Sequence, residues 1–151
     1  MKPEAQMLAE ITSHNFENLR EDIVFLIIED DRGHYMLSQH CLRQAGVKNE
    51  IIWLEDGQDA LDFLNGDGHP GITNKKYVLL LDIKMPRMNG IEVLKYIKNE
   101  DHLKDISVIM LTTSDDHHLA KECYDVGCDA HIIKPPGDIL LRAIARVTRR
   151  I

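Results

Sequence analysis

The chain has no apolar run near the roughly 20 residues a membrane-spanning helix needs, so no transmembrane segment is expected. The residues after Met1 lack a basic start followed by an apolar stretch, so no secretory leader is read and the cytoplasm is the expected compartment. Cysteine is scarce. Cys41, Cys123 and Cys128 are an odd number without C-x-x-C spacing, which argues against a disulfide framework or a zinc knuckle and predicts reduced, structural thiols. Positive charge is also in deficit, with 18 basic against 25 acidic residues and a net charge of −7. A general nucleic-acid binder carries a basic footprint, so DNA is not an expected partner. Arg142, Arg146, Arg149 and Arg150 read instead as a solvated helix end. There is no internal repeat and no low-complexity segment.

What the chain does have is 44% hydrophobic residues in 151, enough for one domain with a sizeable core. Two apolar runs end in acid: Ile23 to Ile28 is followed by Glu29, Asp30 and Asp31, and Tyr77 to Leu81 by Asp82. Short apolar runs bounded by turn signals read as buried strands of a parallel sheet. Strands are predicted over residues 23–29, 50–54, 77–81, 107–111 and 130–133. Helices are predicted over residues 33–45, from a cap at Asp56, from Asn89-Gly90, over 115–126, and after Gly137. Residues 65–76 read as a loop, broken by Gly66, Gly68, Pro70, Gly71 and Asn74. The last helix has Ile139, Leu140, Ile144 and Val147 as its apolar positions. Strict alternation with right-handed crossovers predicts an α/β fold: a doubly wound, five-stranded parallel sheet with five flanking helices, in which strands one and three can be neighbours at the switch point of a 2-1-3-4-5 order, a flavodoxin-like layout. It occupies residues 21–151. Residues 1–20 form an extension in which Met7, Leu8, Ile11 and Leu19 suit a weak amphipathic helix or a frayed terminus.

In such a sheet the carboxyl ends of the strands share one edge, where ligands bind. Four features fall there: Glu29-Asp30, Asp82, Thr112-Thr113-Ser114, and Lys134-Pro135. Like charges at one edge repel, and a divalent cation relieves that. Glu29 and Asp30 offer hard oxygen ligands suited to Mg²⁺. Asp82 is a candidate nucleophile toward phosphorus, Lys134 a point charge for a phosphoryl oxygen, and Thr112 a hydroxyl donor. Each alone has a plainer reading. Strand-end acids cap helices, as is expected of Asp31; Asp82 suits a turn before Pro86; Thr112 suits a strand end; Lys134 suits the surface. The combination at one edge is more specific than any member.

These residues resemble the receiver domain of two-component response regulators. Residues 27–31, 81–90, 111–114 and 133–135 match that family's motifs in order, and the resemblance covers about Asp22 to Ile151. It implies that Asp82 accepts a phosphoryl group from a sensor histidine kinase. It also implies that Asp30 and Asp82 bind Mg²⁺ directly, Glu29 through water, and Lys84 through its backbone carbonyl. Thr112 and Lys134 would contact the phosphoryl group, and the Lys134–Pro135 bond would be cis. More narrowly, Leu111 to Ser114, the stretch 56–64 and the loop before the third strand are similar to single-domain regulators paired with bacterial phytochromes. Output would be a contact with a downstream protein or a phosphotransfer domain, through the fourth helix, fifth strand and fifth helix. A homodimer is compatible with this reading.

The chain departs from the family at His131, where a switch tyrosine or phenylalanine is usual. Histidine is smaller and titrates near neutrality, which predicts an altered or pH-sensitive switch. Pro136 follows Pro135 and stiffens entry into the last helix. The competing readings are a small Mg²⁺-dependent phosphatase with an aspartate nucleophile, and a pseudo-receiver that only binds partners. The first usually needs a second acid two residues after the nucleophile, where this chain has Lys84. Against the second stand Asp30, Asp82 and Lys134.

Overall fold

Branched aliphatic residues with no polar interruption fill the central strands, as sheets covered on both faces require. In the computed structural model, which describes residues 15–151, these strands are β1 (Ile23–Ile28), β3 (Lys76–Asp82) and β4 (Ser107–Thr112). The edge strands are β2 (Ile51–Leu54) and β5 (Ala130–Ile133). All pairings are parallel, in the order β2-β1-β3-β4-β5. The predicted order is therefore the observed one. The proposed helix through Met7, Leu8 and Ile11 lies outside the described residues.

Alternate residues of each strand feed two separate cores, as the two-residue period of a strand dictates. Leu26, Ile28, Leu79, Leu81 and Met110 pack on one face, with α2 (Gly57–Asn65), α4 (Gly90–Asn99) and α5 (His117–Val126). Phe25, Ile27, Val78, Leu80 and Leu111 pack on the other, against α1 (Arg32–Gln44) and α6 (Asp138–Thr148). Phe16, in a 3₁₀ turn over Asn15–Asn18, joins this second core. Cys123 and Cys128 are buried and Cys41 is half-buried, all as free thiols.

Three sequence expectations are corrected. The second strand begins at Ile51, one residue after Glu50. The stretch 65–76 is not all loop: α3 (Pro70–Thr73) is a sixth helix. Proline suits a first helical turn, the Nδ1 of His69 accepts from the amide of Gly71 at 2.9 Å, and Asn74 ends the turn in the left-handed region at φ 56°. Ile139 is 64% exposed, and the buried stripe of α6 is Leu140, Leu141, Ala143, Ile144 and Val147. At 3.6 residues per turn, position 139 falls just outside that stripe.

The amino edge of the sheet is tied together near both ends of the described chain. Arg20 donates to the carbonyl of Ile151 at 2.7 Å, and the side-chain amide of Asn49 donates to the carbonyls of Arg20 and Ile23. Among the described residues no helix is long and apolar enough to cross a membrane.

Candidate functional site

At the carboxyl edge, β1, β3, β4 and β5 each end in or beside one polar residue, and those of β1, β3 and β5 meet in a common cup. Glu29 follows β1, Asp82 ends β3, Thr112 ends β4 and Lys134 follows β5. The β-ladder fixes them: the amide of Ile83 donates to Leu111, and that of Lys134 to the carbonyl of Thr112 at 2.7 Å. Burial is deep, with Glu29 3% exposed, Asp82 5%, Thr112 0% and the Lys134 side chain 6%. The Lys134–Pro135 bond is cis.

The Lys134 ammonium pairs with Glu29 Oε1 and, at 3.1 Å, with Asp82 Oδ1. Carboxylate oxygens of Glu29, Asp30 and Asp82 lie within 4.8 Å of one another, Asp30 on the exposed side. One cation serves two buried acids here, leaving net negative charge. Burial is the main force lifting the Glu29 pKa to about 7; Lys134 pulls it down and neighbouring Asp82 pushes it up. Three oxygen donors, crowded and short of positive charge, suit a hard divalent ion such as Mg²⁺.

Local structure explains who joins the cup and who does not. Asp31 turns away to cap α1, accepting from the amide of His34 at 2.9 Å, and that bond holds its carboxyl below the usual range. Asp56 and Asn89 cap α2 and α4 in the same way. Lys84, two residues after Asp82, is exposed. Gly90 permits a close approach: a Cβ there would lie 2.2 Å from the carbonyl oxygen of Asp82. Thr112 Oγ1 accepts from the amide of Ser114 at 3.1 Å. His131, on β5, donates its backbone amide to the Tyr124 hydroxyl at 3.1 Å. Its Nε2 is buried without a hydrogen-bond partner among the described residues, and burial lowers its pKa.

Two contributors escaped the sequence reading. His34, in the first turn of α1, places Nδ1 at 3.3 Å from Lys134 Nζ and 3.7 Å from Glu29 Oε1. Trp53 donates Nε1 to the carbonyl of Glu29 at 2.8 Å and stacks on Tyr35 with ring centroids 4.3 Å apart. For the first, the linear sequence offers only a histidine one turn after an acidic strand end, which does not by itself show the contact with Lys134. The second needs the register Ile27 to Trp53 between β1 and β2.

A family model described as the response regulator receiver domain matches residues 25–146. The probable methanogenesis regulatory protein FilR2 of Methanothrix harundinacea is 34% identical over 115 residues, which cover 76% of this chain and 74% of that protein. Among solved structures, the bacteriophytochrome response regulator AtBRR is 33% identical with a TM-score of 0.70, over 82% of this chain and 91% of the other. The Mn(2+)-bound form of response regulator Rcp1, a protein of Synechocystis, is 30% identical with a TM-score of 0.64, over 83% and 89%.

Proposed function

Because the chain belongs to the response regulator receiver domain family, we propose that it is a Mg²⁺-dependent phosphoacceptor of two-component signalling whose acceptor is Asp82. The observation that carries this reading is the meeting of Glu29, Asp30, Asp82 and Lys134 in one cup at the sheet edge. An oxygen of the Asp82 carboxylate attacks the phosphorus of a phosphohistidine. The P–N bond breaks, its electron pair returns to the imidazole, and an acyl phosphate forms. Lys134, freed from Asp82, follows the negative charge onto a phosphoryl oxygen. Glu29, Asp30, Asp82 and the Lys84 carbonyl would hold Mg²⁺, which would supply positive charge to the transferred group when bound. The Mn(2+)-bound form of the similar regulator Rcp1 supports this choice of cofactor class.

Thr112 and His131 are assigned to report the mark. Thr112 is buried at the end of β4, the strand paired with β3, and a shift of its hydroxyl toward the phosphoryl group would give up its bond from Ser114. Exposed Tyr124, Ile133 and Ile139 cover α5, β5 and α6, the face assigned to a downstream protein, a phosphotransfer domain or a second copy. The donor is a sensor histidine kinase, and the likeness to AtBRR favours one of the bacteriophytochrome type.

The test is incubation with acetyl phosphate and Mg²⁺, followed by intact mass measurement. Wild type is expected to gain one phosphoryl group, and Asp82→Asn or EDTA to prevent it. An unmodified wild type overturns the proposal, and so does multiple turnover on small phosphate esters, which would mark a phosphatase.

A further inference from the structure

We propose that His34 is a positioning residue that aims the Lys134 ammonium, an inference that rests on the phosphoacceptor reading above. Lys134 has three protons to donate. Two go to Glu29 Oε1 and Asp82 Oδ1, and the third faces His34 Nδ1 at 3.3 Å. An ammonium only donates, so Nδ1 is the acceptor and the ring proton is on Nε2. A proton on Nδ1 would set two donors face to face. The three acceptors come from the ends of β1 and β3 and from the first turn of α1, so together they fix where the ammonium points.

His34 is itself held. Its amide is tied to Asp31 Oδ1 at 2.9 Å, and the next residue, Tyr35, stacks on Trp53, which in turn is bonded to Glu29. The imidazole is 40% exposed and lines a cleft of about 170 Å³ with Leu37, Thr113, Lys134, Pro135 and Pro136. It is thus fixed on the backbone side and open on the cleft side.

The consequence concerns the moment when Asp82 becomes an acyl phosphate. The bond from Lys134 to the Asp82 carboxylate must then pass to a phosphoryl oxygen. The bonds to Glu29 and His34 are the ones left to hold the ammonium while it swings. With His34 gone, a single anchor remains, and the ammonium loses alignment during transfer.

The experiment uses the full chain as wild type, His34→Ala and His34→Asn. The amide oxygen of asparagine falls near the place of Nδ1 and can accept the same proton. Four quantities are measured: the rate of Asp82 phosphorylation by acetyl phosphate at saturating Mg²⁺, the lifetime of the mark, Mg²⁺ affinity from Trp53 fluorescence, and the melting temperature. His34→Ala is expected to slow phosphorylation about five- to tenfold, as for the loss of one typical hydrogen bond. His34→Asn is expected to recover most of that rate, with Mg²⁺ affinity unchanged in both variants. Wild-type labelling with an undiminished His34→Ala rate overturns this inference alone. A slowed rate that asparagine does not recover, or that tracks an equal loss of Mg²⁺ affinity and melting temperature, also overturns it. No labelling of wild type overturns the phosphoacceptor reading and this inference with it.

Discussion

Glu29 is a carboxylate placed where its charge is costly. Its pKa of about 7, raised by burial, stands above the ordinary 4.5. The folded protein therefore holds this proton more tightly than the unfolded chain does. The stability it contributes is complete below pH 4.5 and is lost as pH rises toward 7, an effect on the order of 3 kcal/mol. Metal-free thermal melts of wild type and Glu29→Gln across that window are expected to diverge, with the variant flatter and the more stable of the two near neutrality. Parallel curves would show that Glu29 is ionised at no cost. At this scale the sequence was a good guide wherever a residue closes a strand. Glu29, Asp82 and Lys134 are legible because an apolar run ending in a charge is a linear signal. His34 was not, because its contact with Lys134 spans 100 residues and depends on how Asp31 caps α1.

Helix α4 begins so close to the end of β3 that only glycine fits at its first position. A Cβ on Gly90 would lie 2.2 Å from the Asp82 carbonyl oxygen and 2.9 Å from the Ile83 Cα, both backbone atoms that cannot turn aside. Gly90→Ala must push the helix from the strand that bears the acceptor. A loss of about 2–4 kcal/mol in urea unfolding is expected, together with slower labelling by acetyl phosphate. An alanine variant as stable as wild type would mean that the loop from Ile83 to Asn89 yields freely. Helix starts were readable from the cap at Asp56 and from Asn89-Gly90, and the side chains of Asp56 and Asn89 accept the amides of Asp59 and Glu92. The α3 turn was hidden by its own composition, since Gly71 and Asn74 signal a loop while His69 and Pro70 start a short helix. The face of α6 was misread at Ile139 because hydrophobicity alone does not say where a three-residue entry, Pro135 to Gly137, sets the helix phase.

The described residues form two apolar layers on one sheet, and their buried charged side chains Glu29, Asp82 and Lys134 gather at a single edge. The layers were legible from unbroken aliphatic strands, and handedness narrowed the layout to a doubly wound sheet, of which the 2-1-3-4-5 order is the one that sets β1 beside β3. Neither required the identity of the polar residues. A cation that binds the folded cup and not the unfolded chain stabilises the entire fold, by about 2.7 kcal/mol at 100 times its dissociation constant. Mg²⁺ is expected to raise the melting temperature of wild type and to do so far less for Asp82→Asn, with EDTA reversing the gain. Equal shifts in both proteins would place the ion elsewhere. The opposite pole offers a practical handle. Arg20 and the Ile151 carbonyl are joined at the amino edge, a full strand length away from Asp82. A fluorescent protein, a surface tether or an affinity tag attached beyond Ile151 would leave from the side remote from the acids. Such fusions should leave the cup clear for a docking kinase.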